Sequence, residues 1–168
     1  MAATIKQALK SVHGDLMKKI NLAMEKEVLA AVRQHETAAV EKEVYDSYSP
    51  RLYYRRGPEQ EGLGDPVNME IKGGSVQDGV MRVVNTTEPN PQGVRDVGEV
   101  SPVKNLAGLV EYGDGYGGDH YDFGRRLPYM KPRPFTERTR ETMRESGAHI
   151  HALKNGLERR GLKVKRKK

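Results

Sequence analysis

Few side chains in this sequence have the types and the spacing that chemistry requires, and the most suggestive group is a glycine-rich segment. Gly113, Gly115 and Gly118 spell the GxGxxG letters of a dinucleotide-binding fingerprint. That fingerprint works between a strand and a helix, because the helix N-terminus holds the pyrophosphate. Here a helical segment precedes the glycines, and the carboxylates of Asp119 and Asp122 would repel phosphate. We therefore predict no cofactor.

Metal-binding patterns are equally incomplete. Asp114, Asp119 and Asp122 lack the alternating oxygen ligands and the closing glutamate of a calcium loop. His149 and His151 are two residues apart on a predicted helix, so their side chains point to different sides and do not chelate one ion. The sequence contains no cysteine, which excludes a thiolate zinc site, a cysteine nucleophile and a disulfide scaffold. We expect no bound metal.

Catalytic signatures are also missing from the sequence. It has no nucleophile elbow, no phosphate-binding P-loop and no HExxH motif. A nuclease or a peptidoglycan hydrolase would need a carboxylate or a histidine whose alanine variant is inactive, and the candidates for that test are Asp119 and His120. We predict a protein with no catalytic residues and no enzymatic activity.

A cluster of tyrosine and arginine is more informative. Four of the eight tyrosines fall within residues 45–54, and Tyr53 and Tyr54 are followed directly by Arg55 and Arg56. Rings with a polar tip and forked guanidinium donors are enriched at the centres of protein interfaces. The same pairing can stack on single-stranded nucleic acid, or the tyrosines can anchor a loop in the core through their hydroxyl groups. Residue types alone leave these three interpretations open.

Charge is distributed unevenly along the chain. Residues 125–168 hold 15 Lys and Arg against 4 Asp and Glu, a net charge of +11, whereas residues 1–124 hold 14 against 19, a net charge of −5. Such polarity can attract nucleic acid, or fit the acidic part of one copy to the basic end of the next. A basic terminus is also often only a solvated tail. The candidates for contact with DNA or an acidic partner are Arg159, Arg160, Lys163, Lys165, Arg166, Lys167 and Lys168.

Hydrophobic periodicity predicts a long helix over residues 4–44. Apolar residues recur every three or four positions at Ile5, Leu9, Val12, Leu16, Ile20, Met24, Val28 and Val32. A helix of some 40 residues is about 60 Å long, which is more than one small domain can cover. Either the helix breaks near Gly14, or its exposed half packs on another chain.

Short strands and a second helical region follow a loop. Alternating residues predict strands at 67–71 and 80–84, joined through a Gly73–Gly74 turn. A short helix is expected at about 105–112, and a proline-led helix at 133–160. The predicted fold class is α+β: a long N-terminal helix, a small, mostly antiparallel β-sheet with extended loops, and a C-terminal helix packed on the sheet.

The length of 168 residues suits one domain, and with 36% hydrophobic residues its core is expected to be thin. No apolar run approaches the about 20 residues of a membrane span, so we expect no membrane partner. We predict a single domain over 1–162 and a basic tail at 163–168. Within the domain, the segments are helix at 4–44, loop and sheet at 45–104, short helix and glycine-rich loop at 105–132, and C-terminal helix at 133–160.

The sequence around the tyrosines resembles a pattern in small structural proteins of tailed bacteriophages. Val44-Tyr45-Asp46-Ser47-Tyr48-Ser49-Pro50, Tyr53, Arg55-Arg56 and Gly62-Leu63 follow V-Y-D-x-Y-x-P-x-x-Y-x-R-R…G-L. The segment LAGLVEYG at 106–113 and Arg133-Pro134-Phe135 match its later features. Over residues 5–160 the chain is similar to the tail-component and tail-completion family of long-tailed phages, whereas the loop at 113–124 and the KVKRKK end depart from that pattern.

This resemblance implies a ring of identical subunits, commonly six, at the neck between the portal and the tail tube. The implied partners are other copies of the chain, neighbouring neck, tail-tube or tail-terminator proteins, and genomic DNA that passes through the ring without sequence recognition. The protein would lie at the head–tail junction of the virion, and in the host cytoplasm during assembly. The expected subunit-interface residues are Tyr48, Tyr53, Arg55 and Arg56.

Two kinds of alternative stay open. The first is a nucleic-acid-binding module that uses the basic C-terminal helix and tail, whose binding would depend steeply on salt because phosphate contacts dominate it. The second is another role within the same structural class, as a tail terminator, a head adaptor or a minor capsid protein.

Overall fold

The computed structural model describes residues 2–47, 61–88, 106–112 and 132–165. The predicted interface residues Tyr48, Tyr53, Arg55 and Arg56 lie outside these described residues, and so does the glycine-rich loop at 113–124.

The long N-terminal helix is confirmed, because residues 2–45 are helical throughout. The helical residues comprise α1 (Ala2–Ala23), a π-helical turn (Met24–Val28), α2 (Leu29–Val40) and a second π-helical turn (Glu41–Tyr45). The sequence left open either a break of the helix near Gly14 or packing of its exposed half on another chain, and the break does not occur. Gly14 lies inside α1, and a Cβ added there would have no atom within 4 Å.

The small sheet is also confirmed, with shorter strands than predicted. β1 (Met69–Ile71) and β2 (Val83–Asn85) form a two-stranded antiparallel sheet. The first two residues of the predicted strand belong instead to a 3-10 turn, Pro66–Asn68. The turn forms there because proline fixes its own φ, and because the Asp65 side chain accepts a hydrogen bond from the Val67 N–H at 2.9 Å.

In the described part of the chain three helices follow the sheet, and the predicted C-terminal helix is divided into two of them. They are α3 (Leu106–Tyr112), α4 (Phe135–Ser146) and α5 (Ala148–Arg159). Gly147 separates α4 from α5 with φ 64° and ψ 19°, a left-handed conformation that ends a helix and favours glycine. Among the described residues, the main packing partner of α5 is the N-terminal helix, rather than the sheet as predicted.

The chain forms two compact units, each assembled from distant parts of the sequence. Unit 1 comprises Met1–Arg33, Ile71–Val84 and Met143–Lys168, and unit 2 comprises Gln34–Glu70 and Asn85–Thr142. The single domain over 1–162 with a basic tail at 163–168 stays a prediction.

Each unit has its own buried residues. In unit 2, the core joins α2, the second π-helical turn, α3 and the start of α4, through Ala39, Val40, Val44, Leu63, Val110 and Phe135. In unit 1, the buried apolar residues include Ala23, Val28, Leu29, Val76 and Met143.

Candidate interaction surface

The first part of α1 exposes a row of large apolar side chains. Ile5, Leu9, Val12 and Leu16 are 63%, 66%, 66% and 40% exposed, and we call these four residues the α1 stripe. Their spacing of four, three and four residues places them on one side of the helix. Every described side chain from residue 4 to residue 13 is exposed, so nothing in the described part of the chain covers these turns.

The exposed stripe contrasts with the later part of the same helical segment. Ala23 is fully buried and Val28 is 7% exposed, because α5 packs against this part of the helix. Burial of a large apolar side chain contributes about 1.5–3 kcal/mol, and soluble proteins seldom leave a contiguous row of large apolar side chains exposed unless it contacts a partner. The α1 stripe is therefore the best candidate functional surface of the molecule.

In unit 1, hydrogen bonds connect the C-terminal end of α1 and the turn after it to the segment between the two strands. The side chain of Asn21 accepts a hydrogen bond from the Gly79 N–H at 3.3 Å, and that of Glu25 accepts one from the Val76 N–H at 3.2 Å. The segment between β1 and β2 is thus tied to the helix by side-chain acceptors. The α1 stripe lies in the turns of the helix that precede these hydrogen bonds.

The basic residues at the end of α5 differ in how far they are engaged. Arg160 donates to Glu27 Oε2 at 2.9 Å, to the Gly156 carbonyl at 2.6 Å and to the Leu22 carbonyl at 3.0 Å, and its side chain is 16% exposed. The side chain of Arg159 is 74% exposed, with its Nη1 3.7 Å from Glu27 Oε1. Arg160 therefore fastens α5 to the N-terminal helix, whereas most of the Arg159 side chain is in solvent.

The remaining basic candidates lie beyond α5. Lys163 and Lys165 are exposed, and Arg166, Lys167 and Lys168 lie outside the described residues. Contact of these residues, or of Arg159 and Arg160, with DNA or an acidic partner stays a prediction.

In unit 2, two segments of the phage-like pattern meet. The Tyr45 hydroxyl accepts a hydrogen bond from the Gly64 N–H at 3.3 Å, and the Thr37 hydroxyl donates to the Gly64 carbonyl at 2.8 Å. Leu63, which directly precedes Gly64, is part of the core of unit 2 and is 5% exposed. Of the three interpretations of the tyrosines, Tyr45 fits the loop anchor, while Tyr53 and Tyr54 lie outside the described residues.

A buried glutamate belongs to a polar network that the sequence did not predict. Glu36 is 6% exposed, and its Oε1 accepts a hydrogen bond from Asn85 Nδ2 at 3.1 Å. Burial raises the pKa of Glu36, against the lowering effect of the Asn85 hydrogen bond, and the negative charge of Glu111 raises it further. A signal did exist in the sequence, because Glu36 continues the apolar row of Val28 and Val32 at a spacing of four.

Glu111 joins α3 to the start of α4. This residue is 9% exposed, and its two carboxylate oxygens accept hydrogen bonds from the N–H groups of Thr136 at 2.8 Å and Glu137 at 3.2 Å. The carboxylate thereby satisfies first-turn donors of α4 and interacts favourably with the helix dipole. The described residues contain no group of three side chains that could hold a metal ion. The buried carboxylates of Glu36 and Glu111 are thus used in internal hydrogen bonds.

The two units carry the same pair of net charges as the two parts of the sequence, but the residues are divided between them differently. Unit 1 holds 17 Lys and Arg against 6 Asp and Glu, a net charge of +11, and unit 2 holds 12 against 17, a net charge of −5. The described residues alone give +8 for unit 1 and −7 for unit 2. The α1 stripe therefore belongs to the basic unit, although the sequence division at residue 125 placed it in the acidic part.

The helices of the described residues do not include one with the length and apolar character needed to cross a bilayer.

Comparison with known proteins gives a match over nearly the whole chain. The family model described as YomN matches residues 8–159. The chain is 29% identical over 165 residues to the SPbeta prophage-derived uncharacterized protein YomN of Bacillus subtilis (strain 168), an alignment that covers 98% of this chain and 99% of that protein. No solved structure gives a significant match. The family match includes Leu9, Val12 and Leu16 of the α1 stripe.

Proposed function

Because the chain belongs to the YomN family and matches a prophage-derived relative from end to end, we propose that it is a structural protein of a phage virion. Its proposed place is the head–tail junction, as a neck or tail-completion protein. Copies of the chain form a ring there, with six as the expected number, and genomic DNA passes through the ring. Before assembly the protein is in the host cytoplasm.

The observation that carries this proposal is the exposure of the α1 stripe. A helix that buries its apolar side at Ala23 and Val28 but exposes it from Ile5 to Leu16 is suited to contact another chain. Ring assembly requires such contacts, because each subunit of a ring offers one surface and receives a different one. Tyr48, Tyr53, Arg55 and Arg56 remain proposed interface residues.

The proposed role involves no enzymatic activity. Three carboxylates of unit 2 are buried, and each accepts hydrogen bonds: Glu36 from Asn85, Asp65 from the Glu61 and Val67 N–H groups, and Glu111 from the first turn of α4. This use of the carboxylates supports a structural role for them. The exposure of the α1 stripe and the internal hydrogen bonds of the buried carboxylates both favour a role in assembly over a role in catalysis.

A second candidate function is non-specific binding of nucleic acid through unit 1. The exposed side chains of Arg159, Lys163 and Lys165 in a unit of net charge +11 favour it. If this function is the main one, deletion of residues 163–168 abolishes binding, and affinity for DNA falls steeply with salt. The neck proposal instead predicts that this deletion leaves assembly nearly unchanged.

The experiment that separates the two functions is a light-scattering mass of the purified chain at low and high salt, alone and mixed with assembled tails or DNA-filled capsids. A discrete ring, or stoichiometric binding to either particle that survives high salt, supports the neck role. A monomer that ignores both particles and binds free DNA at low salt contradicts it and favours the nucleic-acid module.

A further inference from the structure

We propose that the α1 stripe of one copy docks on the acidic unit 2 of a neighbouring copy of this chain. The subunit contact is then heterologous, with a basic apolar helix on one side and an acidic surface on the other. This inference rests on the self-assembly in the proposed function, and it identifies the two surfaces that meet.

The charges of the two units favour such a pairing. The unit that carries the α1 stripe has a net charge of +11, and the other unit has a net charge of −5. Opposite charges across an interface attract the partners during their approach and fix their orientation. A contact between unit 1 of one copy and unit 2 of the next brings opposite charges together at every step of a ring.

Pairing of two α1 stripes with each other is disfavoured by the same charges. Residues 2–23 hold four Lys and one Asp, a net charge of +3. Lys6 and Lys19 border the stripe on its two sides, because they lie on either flank of the row at 100° per residue. Two such helices side by side would place lysines against lysines, which is unfavourable.

Unit 2 offers the kinds of side chain that a basic amphipathic helix requires. Val67 and Tyr112 are 68% and 71% exposed, so the unit has apolar surface that is accessible to another chain. Exposed carboxylates of the same unit include Glu41, Glu61 and Glu70. These residues supply an apolar contact for the stripe and negative partners for its lysines.

A heterologous contact makes a distinctive prediction for a chain whose stripe is damaged. The full-length variant Leu9→Gln/Val12→Gln can no longer offer its α1, but its unit 2 can still receive the α1 of an intact copy. Both positions are exposed and Gln is a good helix former, so the fold is expected to be unchanged. The matched control is Gln7→Ala/Ser11→Ala, which changes two exposed residues on the opposite side of α1.

The test immobilises the Leu9→Gln/Val12→Gln chain and measures capture of soluble full-length chains. We expect capture of the wild type and of the control variant, and an affinity about 100-fold lower for soluble Leu9→Gln/Val12→Gln. Capture of the wild type is expected to weaken about tenfold between about 0.05 M and 0.5 M salt, because screening removes the charge attraction.

Three results would overturn the inference. In the first, soluble wild type binds to immobilised wild type but not to the immobilised variant, which would show that two stripes pair with each other. Equal capture of all soluble chains would show that the stripe is not used. Absence of any self-capture, with binding instead to vesicles of anionic phospholipid or to another protein, would give the stripe a different partner.

The proposed function is tested separately in the same samples. If self-capture fails but tails or capsids still bind the wild type, the neck role stands and only the partner of the stripe is wrong. If the chains capture one another as expected but neither particle binds them, the docking mode stands and the neck role is wrong.

Discussion

Single residues decide how closely α5 approaches the N-terminal helix. A Cβ added to Gly156 would lie 2.7 Å from Glu27 Oε2 and 2.9 Å from Ala23 Cβ, both shorter than side chains tolerate. Glu27 cannot easily retreat, because its carboxylate is bound by Arg160 at 2.9 Å. The absence of a side chain at position 156 is therefore a packing requirement of unit 1.

The first prediction compares two glycines in helices. Gly156→Ala is expected to lower the free energy of unfolding by about 1–3 kcal/mol, because the new methyl group overpacks the contact with Ala23. Gly14→Ala is expected to raise it by up to about 1 kcal/mol, because alanine favours the helix and meets no atom within 4 Å. Urea unfolding of both variants measures the difference, and equal effects at the two positions would refute the close-contact account.

The second prediction concerns the pH dependence of stability through Glu36. Because burial raises the pKa of Glu36 above its value in the unfolded chain, the unfolded chain loses this proton first as the pH rises. The stabilising contribution is complete below the unfolded pKa of about 4.3 and is lost as the pH rises through the folded pKa. Glu36→Gln is therefore expected to gain stability relative to the wild type as the pH increases from 4 to 8.

Chemical unfolding at several pH values measures this gain. The matched control is Glu41→Gln, which changes an exposed carboxylate five residues along the same helical segment and is expected to shift stability by less than about 0.5 kcal/mol. A difference between Glu36→Gln and the wild type that stays constant from pH 4 to pH 8 would contradict the role assigned to burial.

At the scale of elements, the N-terminal helix is both the best-predicted part of the fold and the functional candidate. The spacing of Ile5, Leu9, Val12 and Leu16 predicted the helix, and its length left two possibilities, a break near Gly14 or packing of its exposed half on another chain. The sequence did not show the division of the last helix, because apolar spacing continues across Gly147 and gives no sign of its left-handed φ. The packing of α5 also escaped prediction, since it depends on a contact between residues 27 and 156.

Contacts between distant elements were likewise beyond the sequence. Glu111 caps α4 from 25 residues away, and no local pattern such as a capping box marks it. The predicted interface residues Tyr48, Tyr53, Arg55 and Arg56 lie outside the described residues, so that part of the predicted site stays a prediction. The α1 stripe, by contrast, was visible in the sequence and needed the structure only to show which half of the helix is covered.

The third prediction tests the Glu111 cap. Glu111→Ala is expected to lower the free energy of unfolding by about 1–2 kcal/mol, because two backbone N–H groups of α4 lose their acceptor. Glu111→Gln retains one acceptor oxygen and is expected to lose less. Glu145→Ala, an exposed change in the last turn of α4, is the control, and thermal unfolding compares the three variants. A loss at Glu145 as large as that at Glu111 would speak against a capping role.

For the whole molecule, the distribution of charge between the two units is the main support for the proposed contact between copies. The sequence placed the basic charge in residues 125–168, whereas the fold groups residues 143–168 with the lysines of α1 in a unit of net charge +11 and leaves a unit of net charge −5. A linear charge profile cannot show this, because unit 1 is assembled from three separated segments. The resulting polarity suits contacts in which each copy meets the next with a different surface.

We propose that this chain joins phage heads to tails through the α1 stripe, and electron microscopy of particles from a phage that lacks its gene tests this role. We predict DNA-filled or emptied heads separate from tails, with intact virions restored by the wild-type chain and by Gln7→Ala/Ser11→Ala. Leu9→Gln/Val12→Gln is expected to restore few or none. Normal, infectious particles in the absence of the gene, or full restoration by Leu9→Gln/Val12→Gln, would contradict the account.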